Sequence, residues 1–135
     1  MPVSRMVKLA VVGASHIHTP GVVDRMNERN DVEIVAVWDP DPAIANKYAK
    51  KLQCPAMPDV PSVLGIDGLE AVVVLSQTSR HEALVVQIAA ARKHCFVEKP
   101  LGIGLTDARR MKQAVSSAGI IFQTGYFKRG LSVSL

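Results

Sequence analysis

The chain has 135 residues, a length that suits one domain with its own buried core. Hydrophobic residues make up 48% and charged residues 21%, but aromatics reach only 4%, so the core must be built from small aliphatic side chains. The formal charge of +4 is spread over several segments and is not interleaved with aromatics, which argues against a stacking platform for nucleic acid. No apolar run is long enough to span a membrane, and the apolar start ends at Gly13 without a cleavage-site pattern. Cys54 and Cys95 lie far apart with no zinc-ligand spacing, so free thiols and a cytoplasmic location are expected.

Val7 to Val12 (VKLAVV) predicts a buried strand ending at Gly13. A helix is expected from Thr19 to about Arg29, with Thr19 as its N-cap, Pro20 at the first helical position, and Val22, Val23 and Met26 on one face. Val32 to Trp38 (VEIVAVW) predicts a second strand. Asp39-Pro40-Asp41-Pro42 stops it and starts a helix to about Leu52. Cys54 to Gly68 contains three prolines and reads as a loop with one helical turn, and Ala71 to Leu75 (AVVVL) as a third strand.

Leu84, Val85, Ile88 and Ala91 form the apolar stripe of a helix from about Arg80 to Arg92. Cys95 to Val97 is a short fourth strand, ended by Glu98-Lys99-Pro100. Thr106 is the expected cap of the last helix, with Asp107 in its first turn and Met111, Ala114, Val115 and Ala118 facing inward. Gly119 is its expected C-cap, and Ile120 to Gln123 the fifth strand. Five alternations of strand and helix predict a doubly wound, Rossmann-type α/β fold: a parallel sheet in three αβα layers.

In such a fold an anion binds where the first strand turns into a helix, because the first-turn amides are unpaired and the helix dipole is positive there. The run Gly13-Ala14-Ser15-His16-Ile17-His18 aligns with the glycine-rich fingerprint G-x-G-x-x-G but keeps only its first glycine. Ser15 takes the second place and is small enough for close approach of a pyrophosphate. His18 takes the third. An ordinary strand-to-helix turn would look similar. His16 and His18 are too few to hold a metal, and no acidic or cysteine partner is near in sequence, so no metal site is expected. Asp39 ends strand two, 26 residues after Gly13, where a carboxylate accepts hydrogen bonds from the adenosine ribose hydroxyls. It would repel a 2′-phosphate, and no arginine follows at once. NAD is therefore expected over NADP. Asp39 could also cap the next helix.

Four further runs stand out: Trp38-Asp39-Pro40; Ser76-Gln77-Thr78-Ser79-Arg80-His81; Lys93 to Pro100; and Gly125-Tyr126-Phe127-Lys128-Arg129. Through them residues 7 to 129 resemble the N-terminal domain of the Gfo/Idh/MocA (glucose-fructose oxidoreductase/inositol dehydrogenase) family, the last three being similar to its T-P-N-x-x-H, G-K-H-V-x-x-E-K-P and G-F/Y-x-x-R. Arg92 stands where the family usually has glycine. The resemblance implies that Lys99 is the catalytic lysine beside the nicotinamide, orienting it and polarising the reacting oxygen. It implies that Glu98 lines the nicotinamide ribose. Ser76, Gln77 and His81 are expected at the carboxyl end of strand three, with helix capping as the other role open to His81. A tight or cis turn before Pro100 is expected to aim Lys99 into the cleft.

The resemblance implies hydride transfer between NAD and a secondary alcohol of a sugar or polyol. It also implies a larger α+β domain that binds substrate and often supplies a histidine, and Gly130 to Leu135 does not look like its start. The expectation is thus one Rossmann domain over 1–129 and a short tail over 130–135, with cofactor binding but little turnover and a small-molecule substrate only if a second domain is present. Self-association is expected from any apolar patch such a domain would cover. Two other readings stay open: a degenerate, non-catalytic module that binds a nucleotide or a partner, and an adenosine-ligand protein such as a methyltransferase, which the Asp39 placement also fits.

Overall fold

The structure, a computed structural model, describes residues 5–125. Five strands form one sheet: β1 (Val7–Ala14), β2 (Val32–Trp38), β3 (Ala71–Leu75), β4 (His94–Val97) and β5 (Phe122–Thr124). All neighbours are parallel, in the order β2-β1-β3-β4-β5. The chain leaves β1 toward β2, then crosses back and builds outward from β3. The carboxyl ends of β1 and β3 therefore flank a topological switch point, where open α/β sheets bind ligands.

The near-continuous valine and alanine runs follow from burial on both faces. Successive residues point to opposite sides. Ala10, Val12, Val72, Val74 and Val97 pack with Val63, Leu84, Val85, Ile88 and Met111. These come from α3 (Val60–Leu64), α4 (His81–Ala90) and α5 (Leu105–Ala118). On the other side Val11, Val37, Val73 and Leu75 meet Val23, Tyr48, Ala49 and Leu52, from α1 (Thr19–Glu28) and α2 (Pro42–Leu52). Each fully buried valine contributes about 1.5–3 kcal/mol. Both cysteines are free. Burial pushes the Cys95 thiol up to about 12 and that of Cys54 up to about 11.

Several element ends differ from expectation. Thr19 is not the cap of α1: His18 is, without a side-chain bond, and Thr19 and Pro20 occupy the first two helical positions. The Thr19 hydroxyl is left buried without a partner. Its amide donates to the His16 carbonyl because the loop has already turned before Thr19. Thr106 lies inside α5, whose cap is Gly104, while Asp107 in the first turn accepts from the Ile103 amide at 3.4 Å. Gly119 does end α5, at φ 66°. The fifth strand starts two residues later than expected, at Phe122. The helical turn within 54–68 is α3, capped by Asp59, which accepts from the Ser62 amide at 2.7 Å. Residues 55–57 run beside β2, with the Met57 amide on the Val37 carbonyl at 2.8 Å. Arg92, where the similar family has glycine, is left-handed at φ 56°. The run Tyr126-Phe127-Lys128-Arg129 and the tail 130–135 lie outside the described residues.

Candidate functional site

The site is built at the carboxyl edge of the sheet, from the turn after β1. Gly13 has φ +80°, and a Cβ placed on it would lie 2.4 Å from Cβ of Ser76. Both facts require glycine: β1 bends left-handed while passing against the end of β3. The pairing of β1 with β3 shifts register there, between Val12 and Ala14. The His16 amide then donates to the Leu75 carbonyl at 2.9 Å, which lays the turn over the end of β3. Ser15 and Ile17 are exposed, and among the described residues their amides donate to no protein acceptor. They are free donors at a helix start, a good arrangement for an anion.

Asp39 holds the turn from the β2 side. It is only 5% exposed. One carboxylate oxygen accepts from the Ala14 amide at 2.8 Å and the other from the Asp41 amide at 2.8 Å. The helix-capping role falls instead to Asp41, which accepts from the Ala43 amide at 2.9 Å. Asp39 therefore ties strand two to the phosphate-type loop, and each oxygen keeps a lone pair for a further donor.

At the end of β3 the expected trio divides. Gln77 is exposed at the edge, whereas Ser76 and His81 are turned inward. Ser76 donates to the Gln77 carbonyl at 3.1 Å. His81 does not cap the following helix, a place Arg80 holds: it is the first residue of α4 and fully buried. Its ring sits between the Leu101 carbonyl at 3.0 Å and the Ser76 carbonyl at 3.2 Å. The physical reason is satisfaction of buried carbonyls where the chain turns after β4. His81 thus braces the segment that follows Lys99.

That segment begins with Glu98, Lys99 and Pro100, and the Lys99–Pro100 bond is cis. Lys99 is half-buried, and its carbonyl accepts from Nε2 of His16 at 3.0 Å. The other ring nitrogen of His16 accepts from the His18 amide at 3.0 Å, which fixes the proton on Nε2. His18 then reaches Glu98, with Nδ1 2.7 Å from Oε1. Glu98 is 5% exposed and is pressed against Gly125, where an added Cβ would lie 2.3 Å from Oε2. His18, which stands in for the third glycine of the fingerprint, thus bridges the loop to the end of β4. The acid absent from its sequence neighbourhood is supplied by the fold.

Two cavities flank the loop. One of about 440 Å³ lies at the β2 end and is lined by Trp38, Asp39, Pro40 and Asn46. The other, of about 570 Å³, lies at the β4–β5 end and is lined by Ile17, His18, Arg25, Glu98, Thr124 and Gly125. Arg25 and Thr124 were not among the expected site residues. Thr124 was legible in principle, since the end of β5 must lie beside the end of β4 in a parallel sheet. Arg25 carries no such signal.

A family profile described as "Oxidoreductase family, NAD-binding Rossmann fold" matches residues 7–126. The inositol 2-dehydrogenase of Acidothermus cellulolyticus is 32% identical over 131 residues, 96% of this chain and 38% of that protein. The chain spans about a third of the length of the curated relatives it matches. Among solved structures, GenD2 from gentamicin A biosynthesis, in complex with NAD, superposes with a TM-score of 0.83 at 24% identity, over 90% of this chain and 34% of that one. KijD10, a 3-ketoreductase from Actinomadura kijaniata in complex with TDP-benzene and NADP, gives 0.82 at 19% identity, over 91% and 39%. At these identities both structures speak for the fold alone.

Proposed function

Since the chain belongs to the oxidoreductase family with an NAD-binding Rossmann fold, we propose that it holds NAD across its carboxyl edge for hydride transfer with a sugar or polyol alcohol. The observation that carries this reading is the layout of the edge. A buried carboxylate and a cavity stand at the end of β2, free amides over β1, and a second cavity with Glu98 at the end of β4. β2 and β4 are three strand spacings apart, about 14 Å. An extended dinucleotide has the same order: adenosine, pyrophosphate, nicotinamide.

On this reading Gly13, Ser15, His16 and Ile17 form the pyrophosphate turn, with the Ser15 and Ile17 amides as donors. Asp39 takes the adenosine ribose. Its buried charge disfavours a 2′-phosphate, and Pro40-Asp41-Pro42 provides no cation to offset that, so NAD is favoured over NADP. Gln77 offers a carboxamide at the middle of the edge, above Ser76. Glu98 faces the nicotinamide side, and His81 positions the turn after Lys99. When bound, the nicotinamide ring supplies the hydride donor or acceptor. Lys99 places a cation where an alkoxide develops, which lowers the barrier to hydride removal. The 135 residues by themselves bind cofactor with little or no turnover, because hydride transfer also needs the substrate carbon held over the ring. Among the described residues no helix is long and apolar enough to cross a membrane. A cytoplasmic location suits the two free thiols.

Calorimetric titration tests this reading. NADH is expected to bind at one site, and NADPH at least about tenfold more weakly, one tenfold step being 1.4 kcal/mol. Absence of heat and of a thermal shift at millimolar NADH would overturn it.

A further inference from the structure

We infer that His16, His18 and Glu98 form a binding site for a divalent first-row transition ion of the zinc class. The three residues come from two places far apart in sequence, the turn after β1 and the end of β4. One ligating atom from each lies within 4.8 Å of the others. Two imidazoles and one carboxylate match the donor preference of such ions, and three protein ligands leave a fourth position for water.

The hydrogen bonds already present favour coordination. His16 donates from Nε2 to the Lys99 carbonyl, so its Nδ1 keeps the lone pair. A metal-bound histidine is ordinarily held this way, its far N–H on a carbonyl that fixes tautomer and orientation. That Nδ1 faces the His18 amide at 3.0 Å, and coordination exchanges this weak partner for the ion. His18 Nδ1 and Glu98 Oε1, now 2.7 Å apart, share one hydrogen. The ion takes its place, and the histidine is protonated at Nε2 by way of solvent, so that the imidazole stays neutral. Tetrahedral ligands about 2.0–2.1 Å from zinc sit about 3.4 Å apart. His18 and Glu98 must therefore separate by about 0.7 Å while His16 moves inward.

The site is rigid on one side and open on the other. Glu98 is pinned against Gly125, whereas the His18 side chain is 43% exposed and can swing. The neighbouring cavity gives the ion a path in. None of this requires a dinucleotide.

The test is titration of the tag-free chain with Zn²⁺ in the absence of dinucleotide, read by calorimetry and by competition with a chromophoric chelator. Binding of one ion per chain is expected, weakened at least about tenfold in His18→Ala and Glu98→Gln. Co²⁺ is expected to give a visible absorption band that His18→Ala abolishes. His94→Ala, which removes an exposed histidine outside the cluster, is expected to leave both signals unchanged. Absence of binding at micromolar Zn²⁺, or unchanged affinity in His18→Ala, would overturn the inference. His18 lies on an exposed turn, so this variant keeps the test valid even where Glu98→Gln disturbs the fold.

Discussion

Asp39 and Glu98 stand at opposite ends of the same sheet edge, and each is 5% exposed. Asp39 spends its charge on main-chain amides, one from the β1 turn and one from the start of its own loop. Glu98 spends its charge on the imidazole of an exposed histidine. Backbone donors are anchored by the fold, so Asp39 has one arrangement. A side-chain donor on a turn can swing away, so Glu98 can change partner. The β2 end of the edge is thus preformed, and the β4 end is adaptable.

The strongest test of the preformed end is Gly13→Ala. The added methyl meets Ser76 and forces a left-handed alanine, so a loss of about 3–4 kcal/mol is expected in denaturant unfolding. A loss below about 1 kcal/mol would mean that this turn is as adaptable as the other end. Asp39→Ala comes next. It strands the Ala14 and Asp41 amides, for a loss of about 2 kcal/mol, and NADH binding is expected to weaken with it. At the adaptable end, His18→Ala removes one bond to a carboxylate that borders the cavity, where solvent can take the place of the imidazole, and a loss of about 1 kcal/mol is expected. Equal losses from Asp39→Ala and His18→Ala would erase the contrast.

The last effect concerns pH and lies away from the edge. The Cys54 thiol is raised by burial from 9.0 to about 11. Above pH 9 the unfolded chain loses this proton while the folded chain keeps it. Stability is therefore expected to fall as pH rises between about 9 and 11, and Cys54→Ala to lessen that slope, the more buried Cys95 supplying the rest. Unfolding midpoints measured across this range check it.

Much of the fold was legible because β-type and helix-type periodicities alternate cleanly, from the Val7 strand to the Met111 stripe. Element ends were less so. Thr19 and Thr106 looked like caps, but capping is decided by where the preceding loop enters the helix, and His18 and Gly104 held those places. His81 was visible as a conspicuous polar residue, but not its job, since that depends on which carbonyls the fold buries beside it.

The local chemistry of the edge was in the sequence: a glycine where a strand turns, an acid at the end of strand two, and Glu98-Lys99-Pro100 after strand four. These are short-range signals, set by backbone freedom and by strand length. Which groups meet was decided by tertiary structure alone. His18 and Glu98 are 80 residues apart. They touch because the parallel order β2-β1-β3-β4-β5 brings every strand's carboxyl end to the same edge, a proximity that no local pattern encodes.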